Sequence, residues 1–144
     1  MRLFEPTKRA TLLIPSGPDR DLNRKHLFIL LTNPTPDADT GTDKVLLVSV
    51  SSVPANGLYY DDTCVIEAGQ HDFIVRDSFV LYAKARIEEK DALIRGITNG
   101  TFIAKPLLDP SVVDQVCQGL YYSKHVKPSV LDFYQRACDL TIGQ

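Results

Sequence analysis

Lys44-Val45-Leu46-Leu47-Val48-Ser49-Val50 is apolar at five of seven positions, β-branched at three, and free of Gly and Pro. Such a short, continuous run reads as a strand buried on both faces. It ends in Ser51-Ser52, and turn formers bracket it on both sides. Toward the N-terminus, residues 27–31 are apolar and β-capable until Asn33-Pro34-Thr35-Pro36-Asp37 breaks them, because Pro cannot donate to a ladder. Before that, residues 10–14 form a short apolar run closed by Pro15-Ser16-Gly17-Pro18-Asp19, a strand feeding a polar loop. Toward the C-terminus, a turn around residues 54–57 leads to Cys64-Val65-Ile66, and Ala68-Gly69 marks another turn. Residues 73–75 and 79–87 follow as strands. In the latter, Phe79, Leu81 and Ala83 alternate with Val80, Tyr82 and Lys84, the period of a half-buried strand.

Beyond Glu88 the period changes. Asp109-Pro110 supplies an N-cap and a proline at the first helical position, and Val112, Val113, Val116, Cys117 and Leu120 follow at helical spacing. Pro128 opens a second helix with Val130, Leu131, Tyr134, Ala137 and Cys138 on its apolar face. Both helices are one-sided and are expected to cover the sheet or each other. The chain therefore reads as mainly β, of the α+β class: a small, strongly curved sheet or barrel with C-terminal helices. Its 144 residues fit one domain, with a β part over 1–87 and a helical addition over 88–144.

Composition narrows the function classes. Hydrophobic residues make up 44% and charged residues 24%, ordinary globular values that exclude disordered and fibrous classes. No run approaches the roughly 20 apolar residues of a membrane span, and residues 1–6 lack the apolar core of a signal peptide, so a cytoplasmic protein is expected. The net charge of -2 hides an uneven distribution. Residues 1–30 hold six Lys/Arg against three acids, and residues 31–75 hold one against seven. Either a positive patch lies beside a negative face, or the charges are scattered over a solvated surface. Cys64, Cys117 and Cys138 form no CxxC pair and leave one thiol over, as in a reducing compartment. His26, His71 and His125 are too widely spaced to complete a zinc site, and no metal or other cofactor is expected. Walker, GxGxxG, GxSxG and HExxH patterns are absent from the sequence.

Several residues could carry chemistry. The loop from Ser16 to His26 brings Gly17, Arg20, Arg24, Lys25 and His26 to the start of a buried strand. Arginine forks around phosphate oxygens and imidazole titrates near neutrality, so the loop suits phosphodiester work, or it is simply a basic surface. His71, after a Gly turn, is either a general acid or base or a turn histidine bonded to backbone. Asp72 beside it would point to the other face of a strand. Asp61-Asp62 could serve a metal together with His71, and Cys64 could pair with His71 as a nucleophile; solvated acids and a core thiol are the plainer alternatives. Tyr82, Lys84 and Arg86, spaced by two, could line a basic, aromatic face for single-stranded nucleic acid. Tyr121-Tyr122 and residues 124–127 look like a surface turn or partner contact.

The order of these features resembles the PemK/MazF-like family, SH3-like barrels that act as ribonuclease toxins of bacterial toxin–antitoxin pairs. A polar loop with Gly17 and Arg24 leading into residues 27–31 is similar to the family's loop ending in Arg before its second strand. Residues 45–52 are similar to its buried strand with a hydroxyl-rich end. The chain departs from the pattern in having Arg24-Lys25-His26 where the family has Arg-Pro, and in lacking Pro after Val48. The resemblance spans residues 10–87 and implies metal-independent RNA cleavage by the 2′-hydroxyl. Arg24 would be the cation, His26 or His71 the proton-transfer group, and Ser51 or Ser52 the phosphate-positioning hydroxyl. Lys25, Tyr82, Lys84 and Arg86 would hold the RNA. A homodimer and an antitoxin partner lying across the groove are also implied. The alternative is a non-catalytic barrel that binds a protein or nucleic acid.

Overall fold

The computed structural model describes residues 4–15 and 25–142. Among these residues, eight strands, β1 (Thr11–Pro15), β2 (Lys25–Leu30), β3 (Thr35–Asp37), β4 (Thr42–Ser52), β5 (Val65–Ile66), β6 (Ser78–Val80), β7 (Arg86–Glu89) and β8 (Ile103–Lys105), form one antiparallel sheet. Three helices accompany it: α1 (Lys90–Thr98), α2 (Pro110–Tyr122) and α3 (Pro128–Ile142). The fold is mainly β with helices, in keeping with the α+β class. The sheet is open rather than a closed barrel: its order is β5-β6-β4-β2-β1-β8, with β3 and β7 also paired to β4.

β4 is the hub, and its sequence explains why. Leu46, Val48 and Val50 face one core, which they share with Val112, Val113, Val116 and Leu120 of α2 and Val130, Phe133 and Tyr134 of α3. Val45 and Leu47 face a second core, which they share with Leu12, Phe28, Leu30 and Leu93 of α1. Residues 45–48 are completely buried, as a strand covered on both faces requires. The expectation that the helices cover the sheet holds for α2 and α3. α1 and β8, however, stand out in no sequence pattern. β8 is three residues long, too short for a periodic signal, yet it pairs with β1 through Leu12↔Ala104.

Two expected strands are corrected. Residues 79–87 are not one strand: β6 pairs with β4 at Val50↔Val80 and β7 at Leu47↔Arg86, so three steps along β4 are matched by six residues opposite. The surplus is taken up in a 3-10 turn, Tyr82–Lys84. That turn swings Tyr82 into the core, fully buried, with its hydroxyl donating to the carbonyl of Val116 at 2.7 Å. Gly119 makes this possible, since a Cβ there would lie 1.9 Å from the Tyr82 hydroxyl. The glycine thus sits inside α2 and admits the tyrosine. Residues 73–75 are likewise not a strand; they belong to a turn closed by Gly69 N–H to Ile74 C=O at 2.8 Å and Ile74 N–H to His71 C=O at 2.9 Å.

Residue 87 marks no structural break, because β7 continues to Glu89 and β8 returns to the sheet. α2 begins as its sequence predicts: Asp109 accepts from Ser111 N–H at 2.9 Å and from Ser111 Oγ at 2.6 Å, with Pro110 at the first helical position. No helix among the described residues is long and apolar enough to cross a membrane.

Candidate functional site

The strand alternation sorts the expected site residues onto opposite faces. On the α1 side of the sheet, Phe28 stands opposite Ser49, Leu47 opposite Arg86, and Ser51 opposite Phe79. His26 precedes Phe28 by two along β2 and faces the same way, opposite Ile14 of β1. The β2–β4 pairing ends at Phe28↔Ser49, and Ser51 lies two residues further along β4, on the same face as Ser49. His26, Ser51 and Arg86, from three separate segments, therefore share one face of the sheet.

Arg86 is shaped by this face. Its guanidinium carbon lies 4.8 Å from the centre of the Phe28 ring, a cation–π contact. Its Nε is buried, 3.3 Å from Glu88 Oε1, and makes no hydrogen bond. The side chain is still 41% exposed, so the outer end of the guanidinium remains open to solvent. Next to Ser51, the Phe79 ring packs on Tyr60, with centroids 5.0 Å apart. An imidazole, a hydroxyl and a forked cation thus lie on one face, with Arg86 opposite Leu47, four positions along β4 from Ser51. The roles of Phe28 and Phe79 escape a sequence reading because their partners, Arg86 58 residues from Phe28 and Ser51 28 residues from Phe79, are set only by the sheet register.

The other expected residues lie elsewhere. Arg24 falls outside the described residues. Lys25 and Ser52 alternate with His26 and Ser51 and so face the opposite side. Lys84 is exposed on the 3-10 turn. The idea that Tyr82, Lys84 and Arg86 share a strand face is overturned by that turn, and Tyr82, in the core, offers no ring to a ligand. Burial pushes its phenol well above the ordinary range.

His71 is engaged in the scaffold. Its Nδ1 accepts from Phe73 N–H at 3.0 Å, which leaves Nε2 to carry the proton toward the Pro106 carbonyl at 2.9 Å. Thr11 Oγ1 lies 3.1 Å from Nε2 and itself donates to Pro106 O at 2.7 Å. Both ring nitrogens are thus committed, on the sheet face opposite His26. Cys64 is buried too, and burial raises its thiol above the ordinary range, against the pull of the Tyr82 hydroxyl, so it does not supply a ready thiolate.

A second polar cluster joins the loop before β5 to the α2–α3 turn. Asp61 accepts from Thr63 N–H at 3.1 Å, Thr63 Oγ1 at 2.5 Å and Ser123 Oγ at 2.6 Å. Ser123 Oγ in turn accepts from the backbone N–H of His125 at 3.1 Å, whereas the His125 ring meets the Tyr59 hydroxyl at 2.8 Å. Asp, Ser and His are present, but the imidazole does not touch the serine, so no activated nucleophile results. Burial opposes ionisation of Asp61, and the Ser123 and Thr63 hydroxyls and the Thr63 N–H outweigh it, holding the carboxyl below the usual range. Among the described residues, no three of His, Cys, Asp and Glu are grouped to hold a metal ion. Compared with family models, curated proteins and solved structures, the chain matches none.

Proposed function

We propose that this chain is a metal-independent endoribonuclease of the PemK/MazF-like kind, a cytoplasmic toxin built on an SH3-like curved sheet, homodimeric and neutralised by an antitoxin. The reading rests on one observation: His26, Ser51 and Arg86 share a face of the sheet. In-line RNA cleavage requires a proton-transfer group, a donor to the phosphate and a cation for the crowded phosphorane. His26 takes the proton from the 2′-hydroxyl, whose oxygen bonds to phosphorus. The 5′-oxygen then leaves with the proton returned to it, giving a 2′,3′-cyclic phosphate and a 5′-hydroxyl. Arg86 offers its outer nitrogens to the non-bridging oxygens, and Ser51 donates a further hydrogen bond. Arg24, just before β2 in the sequence, would be the second cation, and Lys84 a contact to the RNA backbone. His71, Tyr82, Lys25 and Ser52 take no part.

The test is cleavage of single-stranded and structured RNA in EDTA, read as cyclic phosphate ends. The unsubstituted chain should cleave, and Ser51→Ala, His26→Ala and Arg86→Ala should each slow cleavage on the order of a hundredfold while remaining folded. Intact RNA at protein excess overturns the proposal; RNA bound but uncut would favour the non-catalytic binding module.

A further inference from the structure

A groove of about 310 Å³ runs between the β5 end of the sheet and α2, two strands across from Ser51 through Val65↔Phe79 and Ser51↔Phe79. One wall is the chain from Thr63 to Val65; the other is Gln115, Gln118 and Tyr122, with Gly119 between them. β5 is the terminal strand of the sheet order, so among the described residues no strand pairs along its outer edge. Val80 N–H donates to Cys64 C=O at 3.2 Å, which turns the main chain of Cys64 toward β6. By alternation, the N–H and C=O of Val65 then point outward, to the open edge.

The facing wall answers in the same chemistry. Gln115 and Gln118 lie one helical turn apart and are exposed, with carboxamides that both donate and accept. Their Cβ atoms are about 5–6 Å apart, close to the two-residue repeat of roughly 6.6 Å in an extended chain, so the flexible amides can meet alternate peptide units. The groove therefore presents main-chain-like groups on one side and amide groups on the other. That is the complement of an extended peptide backbone, and it asks little of the side chains. Charge narrows the occupant. Exposed Glu67 follows β5, exposed Asp114 precedes Gln115, and neither forms an ion pair among the described residues. Carboxylates that lie next to its lining segments in sequence repel phosphate and favour Lys or Arg.

We propose that this groove binds an extended segment of a partner protein, with a basic residue at its end, as an added strand on β5. The proposal does not depend on ribonuclease activity. The probe is a pool of acetylated hexapeptide amides with Lys at both ends and mixed Val, Thr, Ala and Ser between, added to ¹⁵N-labelled protein. The Val65 backbone amide and the Gln115 and Gln118 side-chain amides should shift, with binding about tenfold tighter than for the same pool ending in Glu. N-methylation of alternate peptide bonds should abolish the shifts, and so should Gln115→Ala with Gln118→Ala, whose exposed positions leave the fold intact. No shift at millimolar pool, or equal shifts from the N-methylated pool, overturns the proposal. So do shifts of the same amides with protein concentration alone, which would assign the groove to a second copy of the chain.

Discussion

Asp61 shows how one side chain sets a pH limit. Its carboxyl loses some hydration in the folded chain, yet two hydroxyls and a backbone N–H favour the ionised form and keep its folded pKa below the unfolded value of about 4. Folding is therefore helped by ionisation. That stabilisation is complete above about pH 4 and is lost as pH falls through the folded value. Asp61→Asn should lower stability at neutral pH and flatten the acid limb of a denaturation profile; an acid limb unchanged in the variant would show that the cluster is not coupled to folding. At the same scale, Arg86 differs from an ordinary strand-surface arginine in having its Nε buried over Phe28 while its outer nitrogens stay accessible. Its sequence neighbours announce none of this, since the ring beneath it comes from another strand.

At the level of elements, the turn holding His71 fastens residues 69–75 to the chain just after β8. The imidazole bonds Phe73 N–H on one side and Pro106 C=O on the other, and so joins segments more than thirty residues apart. His71→Ala leaves both groups without this partner and should cost about 1–3 kcal/mol in urea unfolding. Because the ring lies on the sheet face opposite His26, RNA cleavage by the folded variant should match that of the unsubstituted chain; a loss of cleavage without a loss of stability would return His71 to the chemistry. The elements themselves were unevenly legible. β4 could be read from its unbroken apolar run, and α2 and α3 from a single helical period with clear punctuation, such as Asp109-Pro110. Residues 79–87 also showed a clean alternation, but it could not reveal that β4 has fewer pairing positions than the opposing chain has residues. That mismatch makes the 3-10 turn and sends Tyr82 inward to meet Gly119. β8 was invisible because three residues hold no period, and its pairing with β1 spans about ninety residues of chain.

Over the whole molecule, the helices do more than append to a barrel: α1 closes one face of an open sheet, and α2 and α3 close the other. The division at residue 87 failed for this reason, since both cores draw on residues from either side of it. The same layering explains what remained readable of the site. The alternation of β2 and β4 alone separates His26 from Lys25 and Ser51 from Ser52. Bringing Arg86 to them needs the pairing of β7 with β4, which no local pattern gives. The acidic middle of the sequence is also resolved in part, with Asp61 bound to the α2–α3 turn and Glu67 exposed just after β5, whereas the proposed RNA face carries Arg86 paired with Glu88. The central claim is that this face cleaves RNA through the substrate's own 2′-hydroxyl. Its most direct test maps the cut in an all-ribose oligonucleotide in EDTA, then repeats the reaction with a single 2′-deoxy residue on the 5′ side of that bond. The account predicts a 2′,3′-cyclic phosphate from the first and no cut at that bond in the second. Equal cutting of both, or of neither at protein excess, would contradict it.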